Sequence, residues 1–438
     1  VEMYAGGPAD LGAARMQMGL SLGWHIILAC LGVGLPAITL ITEWRGYRTG
    51  DNAYRLLARR WARAMGVLFA VGAVSGTILS FEMGLLWPGL MGVYGQVIGL
   101  PFALEGIAFF VEAIFLGLYL YAWDRLRPLP HLLTGVPIVV AGVASAFFVV
   151  TANAWMQAPT GFDTVQGRIV AVDPWAAMFN PATPPQTIHM ILAAFMVAGY
   201  LTASVYAVAL LRGRHSRYHR LGFLVPFTVA ALVTPVQIGV GDYAAHFVAE
   251  RQPVKLAAME GVFETGTGEP LHLGGVALDG QLRYALEIPY GLSLLAHWNP
   301  TSRIVGLNET PEPDRPPVNV VHPAFQIMVG SAFGLLALGA WAAWAWRRRG
   351  DLPHTRWFLR AASLSGVVAV LALEAGWTVT EVGRQPPATS PTTPAAPGGR
   401  TWPRRSAAAP WAPAPSSASS PPRASRCCAR TRRACSPG

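Results

Sequence analysis

Apolar runs of about twenty residues, separated by short polar and arginine-rich segments, repeat along most of this 438-residue chain. A helix crosses a bilayer core in about 20 residues, so each run has the length of one crossing. The runs lie near 20–42, 66–90, 101–122, 132–152, 188–211, 221–241, 324–346 and 358–380. All eight are predicted helical, because irregular backbone facing lipid leaves its N–H and C=O groups without partners. The pattern predicts an all-α, polytopic transmembrane helix bundle, interrupted by two longer polar stretches at 153–187 and 242–323.

Composition agrees with that class. Hydrophobic residues make up 53% and charged residues only 13%, where a soluble domain carries about a quarter charged. The net charge of +10 raises the question of nucleic acid. Its distribution excludes that partner, since the arginines sit in short segments between apolar runs and form no separate basic domain. Arg45, Arg48, Arg55, Arg59, Arg60 and Arg63 follow the first run; Arg125 and Arg127 follow the third. Arg212, Arg214, Arg217 and Arg220 follow the fifth, and Arg347, Arg348 and Arg349 the seventh. Every second connection is basic, so those connections are expected on the cytoplasmic side and the N-terminus outside. No cleavable signal peptide is evident, and the first run is too long for one. Cys30 lies in the first run and Cys427, Cys428 and Cys435 near the C-terminus, with no zinc-site or CxxC spacing.

Five side chains stand out against this apolar background: His25, Glu105, Glu112, His189 and Met328. An ionisable group at bilayer depth costs about 2.5–3.5 kcal/mol on insertion scales and is read as functional by default. Glu105 and Glu112 are seven residues apart. That spacing returns to within about 20° on a helix and rises about 10 Å, so both lie on one face, two turns apart. They form either a proton-passing ladder or a pair of hydrogen-bonding groups inside the bundle. Glu374 and Glu381 repeat the spacing in the eighth run. Glu82, near the end of the second run, can equally cap or snorkel. His25 and His189 are each a lone histidine on an apolar helix, which fits ligation or a hydrogen bond to a neighbour. Met328 alone reads as core filler. All three fall near the expected outer end of a run, and a His/Met pair is a known axial set for heme iron. Beyond the sixth run, Lys255 and Glu260 lie five apart in "QPVKLAAMEGVFET". A cation and a carboxylate there suit a quinol hydroxyl and its proton, or else form a solvated ion pair on an amphipathic surface helix.

Four segments together, "EGIAFFVEAIFLGLYLYAWDRL", "QPVKLAAMEGVFET", "FQIMVG" and "GWTVTEVGRQP", resemble subunit I of the cytochrome bd-type quinol oxidases in that order. The resemblance runs from about Arg15 to Pro386. It implies a heme-binding oxidase domain over 1–386, whose loop 242–323 is the short form of the family's quinol loop. By the same resemblance His189 and Met328 are axial ligands of a low-spin heme b. His25 and Glu381 are the protein ligands of two high-spin hemes, one a heme b and one a heme d, with Trp377 and Arg384 beside them. Glu105 and Glu112 match the family's span-three carboxylates of proton delivery, and Lys255 and Glu260 its quinol-loop pair. The implied partners are subunit II, menaquinol or ubiquinol, O2 and the lipid bilayer of a bacterial cell (inner) membrane. The implied reaction oxidises quinol at the outer face and reduces O2 to water with cytoplasmic protons. Two departures are visible: "GDYAAHF" lacks the small polar residue usual after the Gly-Asp pair, and Gln326 stands where an arginine often precedes the methionine.

Two other classes fit parts of the pattern. A di-heme membrane cytochrome b passing electrons from quinol to a partner, without O2 reduction, needs no ligand role for His25 or Glu381. A transporter would use the glutamate ladder without heme, although no convincing internal repeat supports it. After "GRQP" the family continues into another membrane helix, whereas residues 387–438 here are rich in Pro, Ala, Ser and Arg. That composition predicts disorder and a missing last helix, and it is what GC-rich codons yield out of frame. Resequencing across the codons for Arg384 to Ser390 is expected to reveal a frame change; an intact frame, with the 387–438 peptide found by mass spectrometry, contradicts it.

Overall fold

The computed structural model describes residues 8–384, except 166, 167, 352 and 354. Among the described residues, eight helices are long and apolar enough to cross a bilayer. They are α1 (Pro8–Thr49), α2 (Asn52–Leu86), α3 (Pro88–Tyr121), α4 (Pro128–Gln157), α6 (Thr183–Leu211), α7 (Arg217–Arg251), α10 (Val318–Arg349) and α11 (Arg356–Val382). Short helices α5 (Pro174–Met178), α8 (Pro253–Glu260) and α9 (Gly291–His297) lie in the longer connections. The same connections hold four antiparallel two-stranded pairs. These are β1 (Asp163–Val165) with β2 (Arg168–Val170), β3 (Gly266–Thr267) with β8 (Arg303–Ile304), β4 (Leu271–Leu273) with β7 (Leu286–Ile288), and β5 (Val276–Leu278) with β6 (Gln281–Arg283).

Local chemistry sets the boundaries. Pro88, Pro128 and Pro253 open α3, α4 and α8 in the first turn, where a missing N–H has no helical partner to lose. Pro88 also ends α2, because the residue before a proline is pushed out of the helical region and Trp87 sits at φ −125°, ψ 47°. The second crossing therefore stops at Leu86, short of the expected 90, and α3 begins well before 101. Asp51 caps α2 by accepting from the Ala53 amide, 2.9 Å, and Arg217 Nε donates to its other oxygen at 2.6 Å. That ion pair ties the α1–α2 connection to the start of α7.

Two more boundaries differ from expectation. Helix α1 starts at Pro8, which puts His25 near the middle of a 42-residue helix and not near its outer end. Helix α7 continues to Arg251, so the polar stretch that begins at 242 is helical for its first turns. Expectations for 387–438, including the missing last helix, fall outside the described residues.

Helix α6 is the axis of the bundle, packing against α1, α4, α7 and α11. Small residues bring the backbones close, as membrane helices require when apolar burial gives no preference over lipid. A Cβ on Gly34 of α1 would stand 2.5 Å from the Ala198 Cβ of α6, and one on Gly199 2.7 Å from the Ala230 Cβ of α7. Around these contacts Tyr200, Phe227 and Phe358 are fully buried. The outward side is apolar too: Val67, Val71, Val74, Ile78, Phe81 and Leu85 form an exposed stripe at helical spacing on α2.

Candidate functional site

His189 sits in the second turn of α6 and faces α7. The amide nitrogen of Gln237 lies 3.3 Å from Nδ1 and 3.2 Å from Nε2. An atom equidistant from both nitrogens lies across the ring rather than on one lone pair, so neither bond is well directed. The other end of the same amide, Gln237 Oε1, is buried with no partner among the described residues. One turn further along α7, a Cβ on Gly241 would stand 3.4 Å from the His189 Cε1. Met328, on α10, turns its sulfur to α11, where a Cβ on Gly376 would lie 2.8 Å from Sδ. A glycine faces each of the two candidate axial ligands.

His25 reaches α2 through one ring nitrogen. Its Nδ1 is 2.8 Å from the Ser75 hydroxyl, which donates its only proton to the Gly72 carbonyl at 3.0 Å. With that proton on the carbonyl, Ser75 accepts from Nδ1–H and Nε2 keeps the lone pair that a metal needs. Gly76 of α2 leaves room against this ring, with a Cβ there only 3.1 Å from Cε1. Two residues before His25, the position of a Cβ on Gly23 is 3.5 Å from Glu374 Oε2 and 3.9 Å from the Trp377 ring. Glu374 Oε1 is buried and has no partner among the described residues. The imidazole thus turns to α2, while Gly23 and the under-bonded Glu374 meet on the side of α1 that faces α11; two residues apart, His25 and Gly23 lie on different faces of α1.

Glu381, at the end of α11, is buried. Asn153 Nδ2 of α4 donates to Oε1 at 2.7 Å, and Arg384 pairs with Oε2. Each carboxylate oxygen retains a second lone pair, so ligation remains open to it. Beside this group runs Lys255 of α8, whose Cε and Cγ lie 3.2 and 3.3 Å from where a Cβ on Gly383 would be. Its ammonium lies 3.4 Å from Gln157 Oε1. Gln252 donates to the same oxygen at 3.1 Å, and Gln157 itself donates to the Thr380 carbonyl at 3.3 Å. Lys255 and Glu260 are 7% and 4% exposed, so the reading as a solvated surface pair is wrong: α8 is tucked under the loop. Burial pushes Lys255 down to about 7, with repulsion from Arg384 adding and Glu381 opposing. Burial pushes Glu260 up to about 8, and its Oε2 has no partner among the described residues.

Glu105 and Glu112 share the face of α3 that their spacing predicts. Ser145 of α4 donates to Glu105 Oε1 at 3.2 Å. Glu112 is buried, its Oε2 3.6 Å from the position of a Cβ on Gly142. Glu82 neither caps nor snorkels: it is buried and accepts from Gln17, 3.0 Å, and Ser21, 2.8 Å. Gln326, one of the departures from the family pattern, donates to the His272 carbonyl at 3.0 Å. Sequence reasoning missed Ser75, Asn153, Gln157 and Gln237. Asn153 and Gln157 carry a weak signal, as amides at the end of an apolar run.

Apolar crossing helices that enclose histidines, a methionine and buried carboxylates place the chain among polytopic membrane proteins with ionisable groups at bilayer depth. Comparison with known proteins makes this specific. Residues 13–393 match the family described as cytochrome bd terminal oxidase subunit I. A putative cytochrome bd menaquinol oxidase subunit I of Bacillus subtilis is 38% identical over 385 residues, 86% of each chain. The cytochrome bd-II ubiquinol oxidase subunit 1 of Escherichia coli is 29% identical over 444 residues, covering 85% of this chain and 86% of that one. The bd oxidase structure from Geobacillus thermodenitrificans superposes with a TM-score of 0.80 at 40% identity, over 92% of both chains. The chain belongs to the cytochrome bd terminal oxidase subunit I family. It is a membrane subunit of a terminal oxidase, and heme follows as its cofactor from the family.

Proposed function

We propose that this chain is the heme-carrying subunit of a respiratory oxidase that oxidises quinol near the outer membrane face and reduces O2 to water with cytoplasmic protons. The observation that carries this reading is the buried contact between α8 and the end of α11. There Lys255 lies against Gly383, next to Arg384 and two residues from Glu381. Lys255 of the quinol-side pair thus adjoins the candidate heme-side carboxylate. The relatives act on menaquinol or ubiquinol by name, and both offer the same two hydroxyls.

His189 and Met328 would hold the low-spin heme b. His25 and Glu381 would hold the high-spin heme b and heme d, with Trp377 and Arg384 beside them. When bound, these hemes supply one-electron transfer and O2 reduction. The protein's own residues handle the protons. Lys255 donates a hydrogen bond to a quinol oxygen, and Glu260 accepts the quinol proton once it has lost its own. Glu105 and Glu112 carry protons inward along α3. The arginine-rich ends of the helices face the cytoplasm and the N-terminus lies outside, in a bacterial cell (inner) membrane. The apolar stripe on α2 is surface for lipid and for subunit II.

Replacing His189 by Ala, or Met328 by Leu, is expected to remove the low-spin heme signal and quinol oxidation together. Leucine keeps the size and apolarity of methionine, so loss of the signal implicates the sulfur. An unchanged low-spin spectrum in both variants contradicts the assignment.

Glu260 must be ionised to accept a proton, so the quinol-limited rate is expected to rise with pH through about 8. Glu260→Gln should lower that rate about a hundredfold and flatten the profile, with the heme spectrum unchanged. Lys255→Ala should also impair quinol oxidation, while an artificial donor that bypasses quinol still drives O2 uptake. A wild-type rate and pH profile in Glu260→Gln, or heme loss in either variant, contradicts this role.

A further inference from the structure

At the arginine-rich end of the bundle, three helices bury a polar cluster that quinol chemistry does not use. Glu43 of α1, Tyr119 of α3 and His131 of α4 are all nine-tenths or more buried. His131 Nδ1 lies 2.6 Å from Glu43 Oε1, and the Tyr119 hydroxyl donates to Glu43 Oε2. The other ring nitrogen, Nε2, lies 3.0 Å from the Tyr119 carbonyl. A carbonyl only accepts, so Nε2 carries a hydrogen. The proton between Nδ1 and Glu43 then belongs either to an imidazolium or to a carboxylic acid. It moves between the two without any change of geometry.

This cluster lies in line with the glutamate ladder. Glu105, Glu112 and Tyr119 follow one another at intervals of seven, so all three face the same side of α3. Between the levels of Glu112 and Tyr119 is a gap lined by Pro36, Thr39, Leu40, Met65 and Gly135. The Thr39 hydroxyl is 1% exposed and has no partner among the described residues. A threonine inside a helix ordinarily bonds the carbonyl four residues back, as Thr42 does to Ile38 at 2.8 Å. Thr39 does not. Pro36 lacks the N–H that would bond the Gly32 carbonyl. That carbonyl and Glu112 Oε2 each lie 3.6 Å from where a Cβ on Gly142 would stand. An unused hydroxyl and a freed carbonyl therefore lie along the interval between the cluster and Glu112.

We propose that His131, Glu43 and Tyr119, with Thr39, form the uptake leg of the proton path, delivering protons from the arginine-rich end of the bundle to Glu112. This rests on the reading above that Glu112 carries protons inward. As packed, the gap is narrower than a water molecule. A proton crosses when Leu40 and Met65 swing aside and admit a short file of waters, with the Thr39 hydroxyl and the Gly32 carbonyl as polar partners. The step is proton transfer alone: Glu43 gives its proton to the nearest water of that file, the last water passes one to Glu112, and the next proton taken up through His131 resets Glu43.

The test uses the intact complex in liposomes. Proton uptake from the arginine-rich side is timed during one reaction of the reduced enzyme with O2, and quinol-driven reduction of the low-spin heme is timed in the same preparation. Glu43→Gln and Thr39→Val are expected to slow proton uptake about tenfold or more, leaving heme reduction and the heme spectrum unchanged. Gly135→Ala should act likewise, because its Cβ would stand 2.7 Å from Leu40 Cδ1 and 3.2 Å from Tyr119 Cε2, closing the gap. Thr39→Ser restores the hydroxyl and should restore the rate. If Glu43→Gln does not assemble, Thr39→Val decides, since a hydroxyl with no protein partner leaves nothing unpaired when removed. Wild-type proton uptake in Thr39→Val overturns the proposal, as does loss of heme in place of slowed uptake. A wild-type complex without quinol-driven O2 uptake would instead defeat the functional reading on which the proposal rests.

Discussion

Removing an ionisable side chain from water costs several kcal/mol unless the fold supplies partners, and this chain buries Glu43, Glu82, Glu112, Lys255, Glu260, Glu381 and Arg384. How each is compensated separates the parts of the molecule. Glu43 is engaged at both oxygens by His131 and Tyr119, and Glu381 by Asn153 and Arg384 with one lone pair left on each oxygen. Lys255 has a long contact to one amide, and one oxygen of Glu260 has no partner among the described residues. A group left short of partners in a dry setting is held ready for a ligand or a proton that arrives later. The under-bonded groups of α8 lie where quinol is proposed to bind.

The scaffold makes that arrangement affordable only by close helix packing. Helix α6 meets α1 and α7 through Gly34, Ala198, Gly199 and Ala230, at distances no larger side chain would permit. The same helix carries His189 and, through α11, is fixed relative to Glu374, Trp377 and Glu381. Glycines facing His25, His189 and Met328 continue the rule into the site, where each lets the side chain pack directly against the neighbouring helix.

Much of this was legible in the sequence because bilayer thickness and helical period are local signals. The eight crossings, and the shared face of Glu105 and Glu112, follow from spacing alone. Helix ends did not. Residues 8–19 and 242–251 are too polar to read as crossings, yet α1 and α7 continue through them, and His246 there stacks on Trp298 at 5.5 Å. The spacing of Lys255 and Glu260 suggested a wet surface helix, but the loop folds back over α8, with Leu282 packed against Gly261. Partners such as Ser75 for His25 or Asn153 for Glu381 are 50 and 228 residues away in sequence. No local pattern announces a contact of that range. The four family-like segments imply candidate ligand roles that spacing leaves open.

The central claim is that the helices assemble a quinol oxidase holding both b-type hemes and a heme d. It is tested most directly by a reduced-minus-oxidised optical spectrum of membranes carrying the intact complex, with quinol-driven O2 uptake measured on the same sample. The account predicts a chlorin-type red band beside the b-type bands, together with O2 uptake. Bands of b type alone, with quinol reducing them but no O2 consumed, would contradict it and identify an electron carrier instead.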